Sequence, residues 1–165
     1  MGELCRTDIC RIAELTRGQR QNALWHELRQ CRLTGSKFGE IAKAARCAQP
    51  DYDKIRSELF TPKDLSGIPA IQWGEQNEVN AINGYIAKSG YNIKDTGLWL
   101  FPNACIGASP DGLVFIDDTL AGILEVKCPY CIRSKLNADK FLDLPYIMCD
   151  SSFIKISPLL PSSTG

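Results

Sequence analysis

The apolar positions follow two regimes along the chain. As far as Gly90 they return every three or four residues, the spacing of one helix face; beyond it they alternate or run together, as strands do. Ala23, Leu24, Trp25, Leu28 and Cys31 form the first stripe, and Thr34 stands where it can cap a second helix through Ser36, Phe38, Ile41 and Ala45. Pro50, Pro62, Gly67 and Pro69 then interrupt the pattern, leaving a short helix around Asp53 to Phe60. From Ala70 to Lys88 the helical period returns: Glu78, Ala81, Ile82 and Tyr85 share one face, with Val79 and Ile86 adjoining. Five short strands are expected after Gly90, at Tyr91 to Lys94, Leu98 to Phe101, Ala104 to Ala108, Leu113 to Phe115 and Ile123 to Cys128, with Asp117 and Asp118 at a hairpin tip. Helices on either side of a mixed, mostly antiparallel sheet predict an α/β (α+β) sandwich.

The chain has 165 residues, within the range of one domain. Its 19 basic and 19 acidic residues balance, so total charge does not point to nucleic acid. The excess is local: between Arg17 and Arg46 lie seven Lys or Arg against two Glu, which suits either a solvated face or a phosphate backbone. No apolar run is long enough to span a membrane, and Met1 to Arg11 lacks the apolar core of a signal peptide, so an intracellular protein (cytoplasm or nucleus) is expected. The 8 cysteines are scattered rather than framed, which predicts reduced thiols. Cys128 and Cys131 have zinc spacing but no second such pair, and His26, the sole histidine, is remote in sequence.

The densest chemistry lies in Gly107-Ala108-Ser109-Pro110-Asp111-Gly112 and Gly122-Ile123-Leu124-Glu125-Val126-Lys127-Cys128-Pro129. The first is a turn presenting one carboxylate; the second is an apolar strand on which Glu125 and Lys127 share a face. Either segment alone is an ordinary turn or a solvated pair. Together, in a hairpin made apolar by Leu113, Val114, Phe115, Ile123 and Leu124, their charges call for a partner or a metal. Two carboxylates suit one or two Mg²⁺ ions, with Mn²⁺ as a substitute, and a neighbouring lysine suits an attacking water and a phosphate.

These motifs resemble the active-site signature of the PD-(D/E)XK nucleases, and specifically the YqaJ-type viral recombinase and lambda-type exonuclease group. The resemblance extends to Trp25-His26-Glu27-Leu28-Arg29, Leu33-Thr34-Gly35-Ser36 and Trp73-Gly74-Glu75-Gln76-Asn77-Glu78. It implies a restriction-endonuclease-like fold and a metal-dependent exonuclease acting on duplex DNA ends, 5′ to 3′, in recombination or repair. It also implies roles. Asp111 and Glu125 would be metal ligands, with the Val126 carbonyl as a further one; Glu78 would complete the site, with Glu75 as the alternative; Lys127 would support the attacking water. Arg29 and Ser36 would hold the terminal 5′-phosphate. Trp25 is expected in the core rather than stacked on a base.

By the same resemblance a homo-oligomer or a single-strand-annealing partner protein is implied. The family continues after Cys-Pro into a helix bearing paired glutamines, whereas this sequence has none after Gln76, so a truncated or altered C-terminal part is expected. The expected division is residues 1–18 as an N-terminal extension, 19–140 as the nuclease-like domain and 141–165 as a frayed Ser/Pro-rich tail. Two other classes compete: an inactive remnant of the fold that binds DNA or protein, and a zinc-binding adaptor using Cys128 and Cys131.

Overall fold

The computed structural model describes residues 3–46, 48–61, 65, 67–132, 147–149 and 152–158. The chain divides into two compact units, Met1–Lys63 with Asp95–Pro110, and Asp64–Lys94 with Asp111–Gly165.

The first unit begins with helix α1 (Arg6–Leu15) and a short helix α2 (Ala23–Arg29). Asn22 caps α2, its side-chain oxygen accepting from the N–H groups of Leu24 and Trp25 at 3.0 and 3.4 Å. Strand β1 (Leu33–Thr34) leads directly into α3 (Gly35–Ala45), and α4 (Tyr52–Phe60) packs against α3. Two further strands, β3 (Trp99–Leu100) and β4 (Ile106–Ala108), complete a three-stranded sheet ordered β1-β4-β3, in which β1 runs parallel to β4. The core is Trp25, Leu98 and Leu100, with Leu4, Ile12 and Leu28 against it.

Residues 1–18 are not an appendage. The Thr16 hydroxyl, fully buried, donates to the Ile12 carbonyl at 2.6 Å and accepts from the Leu98 N–H at 2.8 Å. The approach is close enough that a Cβ at Gly97 would lie 2.2 Å from the Thr16 hydroxyl. Nor does Thr34 cap α3 through its side chain; it is buried, and its hydroxyl lies 3.2 Å from that of Ser36.

The second unit is one long helix, α5 (Pro69–Ser89), on a five-stranded antiparallel sheet ordered β2-β5-β6-β8-β7. The strands are β2 (Asn92–Lys94), β5 (Gly112–Ile116), β6 (Thr119–Lys127), β7 (Ile147–Cys149) and β8 (Ser152–Pro158). Ala81 and Tyr85 of α5 pack on Val114, Leu124 and Val126, each large side chain contributing about 2–3 kcal/mol by burial. The helix starts at Pro69, where a missing N–H costs nothing, and stops at Gly90, whose φ of 71° is left-handed. Asp117 and Asp118 form the β5–β6 turn at φ 48° and 59°, as the hairpin reading expects.

The expected sandwich of helices and mostly antiparallel strands is therefore present, but the strands form two sheets rather than one. Pro110, which has no N–H to donate, separates β4 from β5. Of the tail expected from residue 141 onward, residues 141–146, 150 and 151 lie outside the described residues, and the described part includes a strand, Ser152–Pro158, that pairs with β6 from Gly122 to Lys127. Its aromatic Phe153 and β-branched Ile154 and Ile156 favour an extended chain. Cys47 and residues 159–165 lie outside the described residues.

Candidate active site

The residues expected at the site fall into two sets, one in each unit. In the second unit, β6 is buried at every other position: Gly122, Leu124 and Val126 face α5, so Glu125 and Lys127 necessarily share the opposite face. They form an ion pair, Lys127 Nζ to Glu125 Oε1. Asp111 opens β5 and is fixed to β6 twice. Its N–H donates to the Leu124 carbonyl at 3.0 Å, and its Oδ2 accepts from the Val126 N–H at 2.6 Å. A Cβ at Gly112 would lie 2.6 Å from the Ile93 side chain, so the residue after Asp111 must be small for this turn to sit against β2.

Burial pushes the Asp111 carboxyl up to about 6, and the negative charges of Glu125 and Glu78 add to the rise; the Val126 N–H and Lys127 oppose it. Burial works against the charged Lys127, but the Glu125 partner, with Asp111 and Glu78, outweighs it and holds the amine above its ordinary value. Glu78 is thus within electrostatic reach of both groups and half-buried, whereas Glu75, one turn earlier, is exposed. Of the two alternatives on α5, Glu78 is the one that couples to Asp111.

Among the described residues no three His, Cys, Asp or Glu side chains are close enough to hold a metal ion together. The three acids sense one another without forming a finished cage. Their chemistry nonetheless fits a hard divalent cation: the donors are oxygens, and the negative charges of Glu125 and Glu78 add to the burial that raises the Asp111 carboxyl.

In the first unit, Arg29 and Ser36 are brought together. The guanidinium of Arg29 donates to the Ser36 hydroxyl at 2.9 Å and to the Ser109 hydroxyl at 3.3 Å, and stacks over the Trp25 ring 4.1 Å from its centroid. The Trp25 indole N–H donates to the same Ser109 oxygen at 2.9 Å. Burial, and then the neighbouring Arg20 cation, lower the Arg29 pKa. This is a desolvated guanidinium held by hydroxyls and a ring beside a second cation, a setting suited to an anion.

Sequence reasoning did not assign Ser109, Arg20 or the second role of Trp25, which is core and also anchors Ser109. Ser109 lies 84 residues from Trp25, and only the β4 pairing brings it there. Gln19 fixes the same turn, its amide donating to the Pro110 carbonyl at 2.8 Å and to Thr96 at 3.1 Å. His26 holds the Arg20 carbonyl at 2.8 Å, and the described cysteines form no disulfide.

A mixed α/β fold with an antiparallel-rich sheet that carries an acid at a turn and Glu-x-Lys on the next strand defines a restriction-endonuclease-like domain. The YqaJ-like viral recombinase domain matches residues 24–146, and the chain belongs to that family. It is 28% identical over 130 residues to the alkaline nuclease of Autographa californica nuclear polyhedrosis virus, a match covering 79% of this chain and 30% of that protein. The crystal structure of an alkaline exonuclease (LHK-Exo) from Laribacter hongkongensis superposes with a TM-score of 0.50 at 25% identity, covering 73% of this chain and 60% of that one. The chain thus spans less than two thirds of either relative. None of the helices among the described residues is long and apolar enough to cross a membrane.

Proposed function

We propose that this chain is a Mg²⁺-dependent deoxyribonuclease that digests duplex DNA from its ends, 5′ to 3′, in recombination or repair. The observation that carries the reading is the Asp111 carboxylate, pinned to the Val126 N–H beside Glu125, Glu78 and Lys127. Membership of a viral recombinase family, and relatives named as an alkaline nuclease and an alkaline exonuclease, support it.

Asp111, Glu125, Glu78 and the Val126 carbonyl would hold the cation, which when bound neutralises phosphate charge and favours deprotonation of water. The residues of the chain do the rest. The Val126 N–H fixes one Asp111 oxygen, so the carboxylate keeps a single orientation. Lys127, kept protonated by its acidic neighbours, orients the attacking water and stabilises charge developing on the phosphate oxygens. Arg29, Ser36 and Ser109 would bind a terminal 5′-phosphate through charge-assisted hydrogen bonds, with Trp25 and Arg20 setting the guanidinium. Holding that phosphate favours stepwise digestion from a 5′ end.

The test is digestion of linear duplexes carrying a 5′-phosphate or a 5′-hydroxyl, with Mg²⁺ or with EDTA. Metal-dependent mononucleotide release that is faster from the phosphorylated end is expected. Binding of both duplexes without digestion would replace this reading with that of an inactive binding module. Digestion indifferent to the end group would remove Arg29, Ser36 and Ser109 from their role.

A further inference from the structure

The turn that presents Asp111 is fixed by a residue 91 positions from Pro110 along the chain. Gln19 is half-buried, and its side-chain nitrogen donates to the Pro110 carbonyl at 2.8 Å and to the Thr96 carbonyl at 3.1 Å. Both partners are acceptors, so both hydrogens of the amide are used and its orientation is settled by chemistry. Pro110 is buried, where an unmet carbonyl would be costly. Its carbonyl belongs to the same peptide group as the Asp111 N–H, which donates to the Leu124 carbonyl at 3.0 Å. That planar unit is therefore held at both ends, by a side chain on one and a strand on the other. Rotating it would swing the Asp111 carboxylate off the Val126 N–H, which it meets at 2.6 Å. The backbone at Gln19 is not relaxed: its φ is 42°, in the left-handed region, directly after Gly18 at φ 79°. A non-glycine residue keeps that conformation only where its surroundings hold it, and such positions cluster at functional sites.

We infer that Gln19 is a positioning residue for the Asp111 carboxylate: it holds the peptide group that precedes Asp111 and, through it, the orientation of an oxygen that binds the cation. The cation rests on the nuclease reading; the hold on the peptide does not. Thr96 is the second anchor. Because one amide bonds both carbonyls, the side chain cannot turn away from Pro110 without losing two hydrogen bonds, and the turn keeps a single geometry.

Two variants separate the amide from the strained backbone. Gln19→Gly accepts the left-handed φ and removes the amide; Gln19→Glu keeps the length and offers neither carbonyl a donor at neutral pH. The first measurement is amide hydrogen exchange by NMR on the full, metal-free chain, with urea midpoints alongside. Supporting the inference, the Asp111 and Val126 N–H groups exchange roughly fivefold faster in both variants, the effect of one lost hydrogen bond, while amides in the middle of the β5–β6 ladder keep their wild-type rates. Equal acceleration of every amide, or a lower midpoint with Asp111 and Val126 unchanged, makes Gln19 part of the frame only and overturns the inference. The second measurement is duplex digestion. Where wild type digests DNA, both variants lose on the order of tenfold to a hundredfold in kcat at saturating duplex and need more Mg²⁺ for half their maximal rate. Variants with wild-type kcat and Mg²⁺ requirement would overturn the inference as well. No digestion by wild type would sink the nuclease reading alone and leave the exchange result standing.

Discussion

Replacing Asp111 with Asn should stabilise the metal-free protein at alkaline pH. The folded state raises this carboxyl from 3.8 to about 6, so it binds the proton more tightly than the unfolded chain does. A raised folded value means the favourable contribution is complete below 3.8 and is lost as pH climbs through about 6. At ~1.36 kcal/mol per pH unit the full loss is about 3 kcal/mol; partial solvent screening reduces it to about 1–2 kcal/mol. Asn keeps an oxygen for the Val126 N–H and has no charge to bury. Urea unfolding of wild type and Asp111→Asn in EDTA at pH 4, 6 and 8 measures the difference directly. The variant should be more stable at pH 8 by about that amount, with the gap closing toward pH 4; Mg²⁺ should raise the midpoint of wild type alone. A variant less stable than wild type at pH 8 in EDTA, or a gap independent of pH, would refute the strained-carboxylate argument.

Other substitutions probe the frame and the anion site. Leu124→Ala, at a fully buried position between α5 and the sheet, should cost about 3–5 kcal/mol in urea unfolding. Gly97→Ala would place its Cβ against Thr16 and the Ala13 carbonyl, destabilising by several-fold more than an ordinary surface change, whereas Gly74→Ala, in open space on α5, should stabilise by about 0.5–1 kcal/mol. Arg29→Ala should weaken binding of a 5′-phosphorylated end by about 1.5–3 kcal/mol, as read by competition against a 5′-hydroxyl duplex. Trp25→Phe retains the ring beneath Arg29 but removes the N–H to Ser109, so it should lose less of that preference than Arg29→Ala.

The period of the sequence carried much of the second unit. Glu78, Ala81, Ile82 and Tyr85 at helical spacing anticipate α5 and its packed face, and alternation along β6 places Glu125 and Lys127 on one side. The contact between Arg29 and Ser36 was legible only through the resemblance to a family, since spacing along the chain says nothing of a guanidinium meeting a hydroxyl beyond a strand. Ser109 was hidden for a different reason: it reads as a turn residue, and its bonds to Trp25 and Arg29 depend on β4 pairing with β1 across more than seventy intervening residues. The helix α1 and the pairing of Ser152–Pro158 were missed because neither segment shows in its own sequence the distant partner it packs or pairs with. It took buried Thr16 and the open edge of β6 to give those segments partners.

The central claim is that the carboxylates and Lys127 hydrolyse DNA, and single-turnover digestion of a 5′-phosphorylated duplex in Mg²⁺ by wild type beside Lys127→Ala tests it most directly, with urea midpoints confirming that both are folded. The account predicts mononucleotide release by wild type and a loss of at least about a hundredfold in Lys127→Ala, as expected when a group acting on the transition state is removed. Equal rates for the two proteins, or digestion that persists in EDTA, would contradict it.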